Sequence, residues 1–139
     1  MRKIGIDYGD ARLGFALSDP LGIIASPLEV YTRKSEAADL KYIAELVKLK
    51  EADTVVIGLP VNMDGSKGER AEKTAEFGDK IKSVCGVKVE YADERLSTVS
   101  AERFLIEGNV RREKRKEVID KVAAQIILQS YLDRNMKYK

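Results

Sequence analysis

The chain of 139 residues is long enough for one domain with a sizeable core, and we predict a single domain over residues 1–139. Its formal net charge of +2 does not by itself indicate a nucleic-acid partner, although 35% charged residues allow local patches of one sign. The sequence has no histidine and one cysteine, Cys85, which excludes imidazole catalysis, an internal disulfide and a thiolate metal cluster.

Three extended segments are predicted at the start of the chain. Apolar runs over residues 3–8 and 12–18, with glycine between them, predict a hairpin. A third run covers residues 23–32, where Pro27 lacks a backbone donor and therefore predicts an edge strand or a bulge. Asp7 closes the first strand among apolar neighbours, so its carboxylate needs a hydrogen-bond donor, an opposite charge or a metal ion.

The middle of the sequence predicts a helix, a buried strand and a second helix. Apolar residues at helical spacing indicate a helix over residues 35–50, and the β-branched run at 54–59 indicates a strand covered on both faces. Ser66 and Glu69 have the spacing of a capping box, which predicts the start of a second helix that ends near Gly86.

The last third of the sequence predicts a strand and two further helices. Residues 87–92 alternate as a fifth strand, and a third helix is predicted from residues 97–98 to residues 108–109. Residues 111–116 form a predicted basic connection, and the final helix has a wide apolar face.

Antiparallel strands followed by crossover units predict an α/β fold, with a five-stranded mixed sheet flanked by helices on both faces. Sites in such sheets gather at the carboxyl ends of the strands. Asp7 and the pair Asp93 and Glu94 follow two of these ends.

Three acids from separate segments could form one site: Asp7, either Asp93 or Glu94, and Asp120. Their mutual repulsion requires a positive charge, and oxygen ligands favour Mg²⁺ or Mn²⁺. Two such ions support phosphodiester hydrolysis without histidine. Taken singly, each acid also fits a turn or the first turn of a helix, so the hypothesis depends on the three together.

Two segments are candidates for phosphate binding. One is the basic run at residues 111–116, and the other is the glycine-containing loop at residues 62–70, which enters the second helix and offers backbone donors. The residues predicted to contact nucleic acid are Arg12, Asn62, Lys67, Arg70, Arg95, Arg111, Arg112, Lys114, Arg115 and Lys116.

Four motifs follow one another along nearly the whole chain. They are Gly5-Ile6-Asp7-Tyr8-Gly9 with Arg12 and Gly14; Gly58-Leu59-Pro60 with Asn62, Asp64 and Gly65; Asp93-Glu94-Arg95-Leu96-Ser97-Thr98; and Asp120 with Ala123-Ala124. In this order they resemble the YqgF family of the RNase H-like superfamily, whose members are named as pre-16S rRNA nucleases and as Holliday junction resolvases.

The resemblance implies an RNase H-like fold and a metal-dependent nuclease site formed by Asp7, Glu94 and Asp120. Asp93 and Glu117 are further candidate ligands, the latter at a place where RuvC-type resolvases carry an acid on the last helix. Asp10 stands where the family pattern leads us to expect a small or hydroxyl residue, and its role is open.

The implied function is processing of the 5′ end of precursor 16S rRNA with Mg²⁺ or Mn²⁺. The alternative substrate is a branched DNA junction, which would favour a homodimer over a monomer. Two other classes are a non-catalytic nucleic-acid-binding protein and a single-lobe ATP-binding module, since an Asp-x-Gly hairpin also resembles the phosphate-binding hairpin of sugar kinases. The sequence has no stretch apolar enough for a membrane span, and its first residues lack a signal-peptide pattern, so we expect a cytoplasmic protein without a membrane partner.

Overall fold

The computed structural model describes residues 1–59, 68–93 and 112–137, with side chains at all of these except 93, 112–120 and 136–137. In this part of the chain the strands are β1 (Arg2–Tyr8), β2 (Arg12–Ser18), β3 (Ala25–Thr32), β4 (Ala52–Leu59) and β5 (Lys88–Asp93). The helices are α1 (Glu36–Leu49), α2 (Glu69–Cys85) and α3 (Arg112–Lys137). The predicted third helix lies outside the described residues.

The five strands form one mixed sheet in the order β3-β2-β1-β4-β5. The pairs β1/β2 and β2/β3 are antiparallel, whereas β1/β4 and β4/β5 are parallel. Pro27 lies on the edge strand β3, and the register shifts where β2 passes from Phe15 to Ala16, opposite Glu29 and Pro27. Both positions predicted for this proline, an edge strand and a bulge, are therefore confirmed. Proline has no backbone N–H, and at an edge or a bulge the sheet needs no hydrogen bond from it.

Each face of the sheet is covered by its own apolar cluster, as the continuous apolar run in β4 predicts. Val55 and Ile57 face one cluster, to which α1 contributes Ile43 and α2 contributes Ile81. Val56 faces the other cluster. The α3 residues of that second cluster are Ala124, Ile127, Leu128 and Leu132.

The helix ends agree with some of the predicted local signals and not with others. Ser35 caps α1 by accepting a hydrogen bond from the Ala38 amide at 3.2 Å, and α2 ends before Gly86, which has a left-handed φ of 67°. The capping box predicted at Ser66 and Glu69 is wrong, because Glu69 is the first helical residue and Gly68 is the N-cap without a side-chain bond. A box requires its acid at the third helical position, which here is Ala71.

The prediction for the basic segment is also wrong in part. Residues 112–116 lie inside α3 rather than in a connection, because α3 begins at Arg112. Lys, Arg and Glu are good helix formers, and no glycine or proline interrupts residues 112–117. In the described part of the chain, no helix has the length and hydrophobicity that crossing a membrane requires.

Candidate active site at the carboxyl edge of the sheet

Asp7 lies half-buried at the carboxyl end of β1, in the centre of the sheet. It pairs with Gly14 of β2, and its neighbour Ile6 pairs with Ile57 of β4. Leu59 at the end of β4 pairs with Asp93 at the end of β5, so β1, β4 and β5 end at the same edge. Neighbouring strands are about 4.8 Å apart, which places the ends of β1 and β5 about 10 Å from each other.

Helix α3 packs on β1 at Gly5, two residues before Asp7 on the same face of the strand. A Cβ atom at Gly5 would lie 2.7 Å from Leu128 Cβ and 2.9 Å from the Ala124 carbonyl oxygen. The C-terminal part of α3 lies near the start of β1, since Leu132 lines a cavity together with Met1. The helix therefore runs antiparallel to β1.

This register sets the position of residue 120 relative to Asp7. One helical turn back from Ala124 covers about 6 Å, and two residues forward from Gly5 along β1 cover about 6.6 Å. From these two distances we expect the backbone of residue 120 to lie near the level of Asp7. The role of Asp120 as a ligand stays a prediction.

The other predicted site residues are distributed as follows. Glu94, Asn62, Lys67, Arg95 and Arg111 lie outside the described residues. Arg112, Lys114, Arg115, Lys116 and Glu117 lie in the first turns of α3. Since the side chains of the other predicted acids are not described, no cluster of three potential metal ligands is found among the residues with described side chains.

The donor set nevertheless fits a hard divalent cation. Asp7 supplies carboxylate oxygens at the sheet edge, and every other predicted ligand is also a carboxylate. The sequence offers no histidine, and its one cysteine, Cys85, lines a cavity with Met1 and Ala52 at the opposite edge of the sheet. Oxygen-only sites of this kind suit Mg²⁺ or Mn²⁺ better than Zn²⁺.

Arg70 binds the hairpin turn that follows Asp7. It donates from Nη2 to the Tyr8 carbonyl at 3.2 Å, and its Nη1 lies 3.8 Å from Asp10 Oδ2. Arg70, predicted as a nucleic-acid contact, is thus bound to the turn while 53% of its side chain stays exposed. Asp10, whose role the sequence leaves open, has a partner in Arg70. Arg12 is half-exposed at the start of β2.

Sequence reasoning missed Arg33, which binds the same turn. Arg33 donates from Nη1 to the Gly9 carbonyl at 3.1 Å and from Nε to Asp39 Oδ2 at 2.9 Å. Burial opposes its charge and is the largest single effect, but the interactions with Asp39 and Tyr8 together outweigh it, so the pKa of Arg33 is raised. The one available signal was an acid, Asp39, on the apolar side of α1, which demands a buried cation.

Comparison with solved structures defines the class of fold. RuvC of Thermus thermophilus, solved with a Holliday junction substrate, is 17% identical with a TM-score of 0.60, over 98% of this chain and 96% of that one. The fowlpox virus resolvase, solved with Holliday junction DNA, is 12% identical with a TM-score of 0.61, over 98% and 99%. The fold is therefore RNase H-like, and the predicted fold class is confirmed.

Sequence comparison defines the family within that class. The family described as "RuvX: Holliday junction resolvase" matches residues 1–134. A relative from Halothermothrix orenii is 53% identical over 133 residues, covering 96% of this chain and 95% of the relative. One from Streptococcus thermophilus is 49% identical over 137 residues, covering 96% and 99%. Both carry the name "Putative pre-16S rRNA nuclease". The chain belongs to the RuvX family, also called YqgF, which confirms the resemblance seen in its motifs.

Proposed function

We propose that this protein is a metal-dependent endonuclease that processes the 5′ end of precursor 16S rRNA in the cytoplasm during ribosome biogenesis. The observation that supports the proposal is the position of Asp7 near the carboxyl end of the central strand, two residues beyond the place where α3 packs on Gly5. Relatives about half identical over nearly their whole length are named for pre-16S rRNA cleavage, which supports the choice of substrate.

In this mechanism Asp7, Glu94 and Asp120 would hold Mg²⁺ or Mn²⁺, with Asp93 and Glu117 as further candidate ligands. Bound divalent cations would supply the charge that activates water at neutral pH and stabilises the leaving oxygen of a phosphodiester. The chain contributes fixed ligand positions, because Asp7 lies on a strand that is hydrogen-bonded on both sides. The basic side chains of residues 111–116 would bind the RNA phosphates and would make no sequence-specific contacts with its bases.

A second candidate is cleavage of a four-way DNA junction, which the description of the matching family favours. Symmetric cleavage of a junction needs two sites related by a two-fold axis, and therefore a homodimer. Processing one end of an rRNA needs only one site. The two substrates can be compared in a single assay.

Cleavage of a precursor 16S rRNA fragment and of a synthetic junction tests both candidates. We expect the wild type to cut the rRNA with Mg²⁺ or Mn²⁺ and not with a chelator. Asp7→Asn, Glu94→Gln and Asp120→Asn should each lower the cleavage rate by more than about 100-fold, since even the groups that orient metal ligands contribute up to about that factor.

Asp53→Asn is the matched control. Asp53 lies near the start of β4, at the opposite edge of the sheet, where it pairs with Lys3 at 3.2 Å. This variant should cut at the wild-type rate. Equal cleavage by the wild type and the three site variants would contradict the metal site, and RNA binding without any wild-type cleavage would favour a non-catalytic binding protein.

A further inference from the structure

The turn between β1 and β2, residues 9–11, is held more tightly than a hairpin turn requires. The Arg33 amide donates to the Ala11 carbonyl at 2.9 Å, and the Arg33 side chain donates to the Gly9 carbonyl at 3.1 Å. One residue thus holds both sides of the turn. A Cβ atom at Gly9 would lie 2.6 Å from the Arg12 carbonyl oxygen, so the turn itself is also closely packed.

The Arg33 guanidinium is in turn fixed from several directions. Its carbon lies 4.9 Å from the centre of the Tyr8 ring and 5.3 Å from that of Phe77. Asp39 is 1% exposed and accepts from Arg33 through Oδ2 and from the Lys34 amide through Oδ1, at 2.9 and 3.1 Å. A planar guanidinium held by a carboxylate and two rings has little freedom to move.

We propose that Arg33 is a positioning residue for Asp7, and that it orients the carboxylate for metal binding by fixing the backbone that follows. Arg70 binds the Tyr8 carbonyl and Arg33 binds the Gly9 carbonyl, so the carbonyl groups of the two residues after Asp7 are both anchored. The inference rests on the proposed function, because it assigns a metal to Asp7.

A purely stabilising role explains this arrangement less well. A buried ion pair is seldom more stable than apolar residues of the same volume, because both charges must be desolvated. An apolar side chain could also pack against the Tyr8 and Phe77 rings, but it could not donate a hydrogen bond to the Gly9 carbonyl. What the guanidinium adds is a fixed link between Asp39 and the turn.

Arg33→Lys tests the proposal with the charge retained. A lysine has a single ammonium group, so it can reach Asp39 or the Gly9 carbonyl but cannot hold the fixed fork of two bonds. We expect a folded variant whose Mg²⁺ dissociation constant, measured by calorimetry without substrate, rises about 10-fold to 100-fold. Amide hydrogen exchange at residues 9–12 should also be faster than in the wild type.

Arg2→Lys is the matched control, because it makes the same substitution at the start of β1, the end of that strand away from Asp7 and the turn. It should leave Mg²⁺ affinity and exchange at the turn unchanged. If Arg33→Lys lowers only the melting temperature and binds Mg²⁺ like the wild type, the positioning role is wrong.

A measurement on the wild type keeps the proposal testable if Arg33→Lys does not fold. The Nε–H resonance of Arg33 should shift during a Mg²⁺ titration together with the Asp7 amide, and an unchanged Arg33 resonance would overturn the inference. Mg²⁺ binding without cleavage of either substrate would contradict the proposed function alone. Mg²⁺-dependent cleavage that Arg33→Lys retains at wild-type Mg²⁺ affinity would contradict the positioning role alone.

Discussion

Burial separates the ion pairs of the described residues into two kinds. Lys80 and Glu36 form a pair in which each side chain is about half exposed, and such pairs contribute little to stability because water screens them. Arg33 and Asp39 are 15% and 1% exposed. Removing one member of a buried pair leaves an uncompensated charge and costs about 3–5 kcal/mol. The same arginine therefore matters for stability and for the turn that follows Asp7.

We expect Asp39→Asn to lower the free energy of unfolding by about 3 kcal/mol at neutral pH. Burial raises the pKa of Asp39, but hydrogen bonds from Arg33, the Lys34 amide and Tyr31 outweigh it and hold this pKa below the ordinary value of 3.8. The ionised Asp39 carboxylate therefore stabilises the folded protein above pH 3.8, the pKa of an ordinary aspartate. This stabilisation is lost as the pH falls through the lower pKa of Asp39 in the folded protein. Urea unfolding at a series of pH values should show the variant approaching the wild type in acid.

Glu36→Gln provides the comparison for this pH series, since Glu36 belongs to the exposed pair. Its effect should stay below about 1 kcal/mol. The difference in the free energy of unfolding between the wild type and Asp39→Asn should shrink in acid. If it stays constant from neutral pH into acid, the Asp39 charge does not stabilise the fold through Arg33.

At the scale of elements, the contact between α3 and β1 sets the position of the candidate site. The two elements can approach this closely because residue 5 is a glycine and has no side chain. The two atoms nearest a Cβ at Gly5 are Leu128 Cβ and the Ala124 carbonyl oxygen, and neither can move without the helix. We expect Gly5→Ala to lower the free energy of unfolding by about 2 kcal/mol through overpacking. Because α3 also carries Asp120, cleavage should fall as well, measured at a temperature where the variant is folded.

Gly78→Ala is the control for that prediction. A Cβ there would meet the Tyr91 hydroxyl and the ring carbon Cζ, the latter at 2.9 Å, so the Tyr91 side chain on the edge strand β5 would have to shift but no backbone atom would; Gly78 lies on the opposite face of the sheet from α3. Alanine is also favoured over glycine inside a helix by about 1 kcal/mol. Gly78→Ala should therefore destabilise less and leave the Mg²⁺ dependence of cleavage unchanged. Wild-type stability and cleavage in Gly5→Ala would contradict the close packing.

Elements can be predicted from the sequence where a short-range pattern determines them. The continuous apolar run of β4 predicts that strand, and Pro27 predicts the edge position of β3, because periodicity and a missing donor act locally. The prediction for the start of α2 is wrong since Ser66 and Glu69 match a capping box that the chain does not use. The prediction for the start of α3 is wrong because basic residues suit a helix as well as a loop.

For the whole molecule, the acids are easier to predict than the groups that support them. Asp7 stands out because an acid ending an apolar strand is unusual, and the order of strands predicts the edge at which it lies. Arg33 and Gly9 are 24 residues apart, and no spacing rule connects an arginine with a distant backbone carbonyl. Such contacts follow from the tertiary fold and are visible only in the structure.

The distribution of charge over the molecule leads to the last prediction. Arg111, Arg112 and Arg115 belong to the N-terminal end of α3 or directly precede it, and α3 runs antiparallel to β1, so this end lies toward the edge with Asp7. Replacing all three with glutamine should weaken RNA binding for every sequence tested. For single-stranded RNA, the slope of log K against log salt should become shallower by about 2, or about 0.7 for each phosphate that the variant no longer neutralises.

Replacing Lys41, Lys48 and Lys50 with glutamine tests whether position matters rather than net charge. These lysines belong to α1 and its C-cap, on the opposite face of the sheet from α3, and their replacement changes the net charge by the same amount. The control should keep the wild-type salt slope, because a phosphate that does not touch the protein releases no counterions. If the two triple variants have equal salt slopes, RNA binding depends on the overall charge of the protein. The basic N-terminal end of α3 would then not be what brings RNA to Asp7.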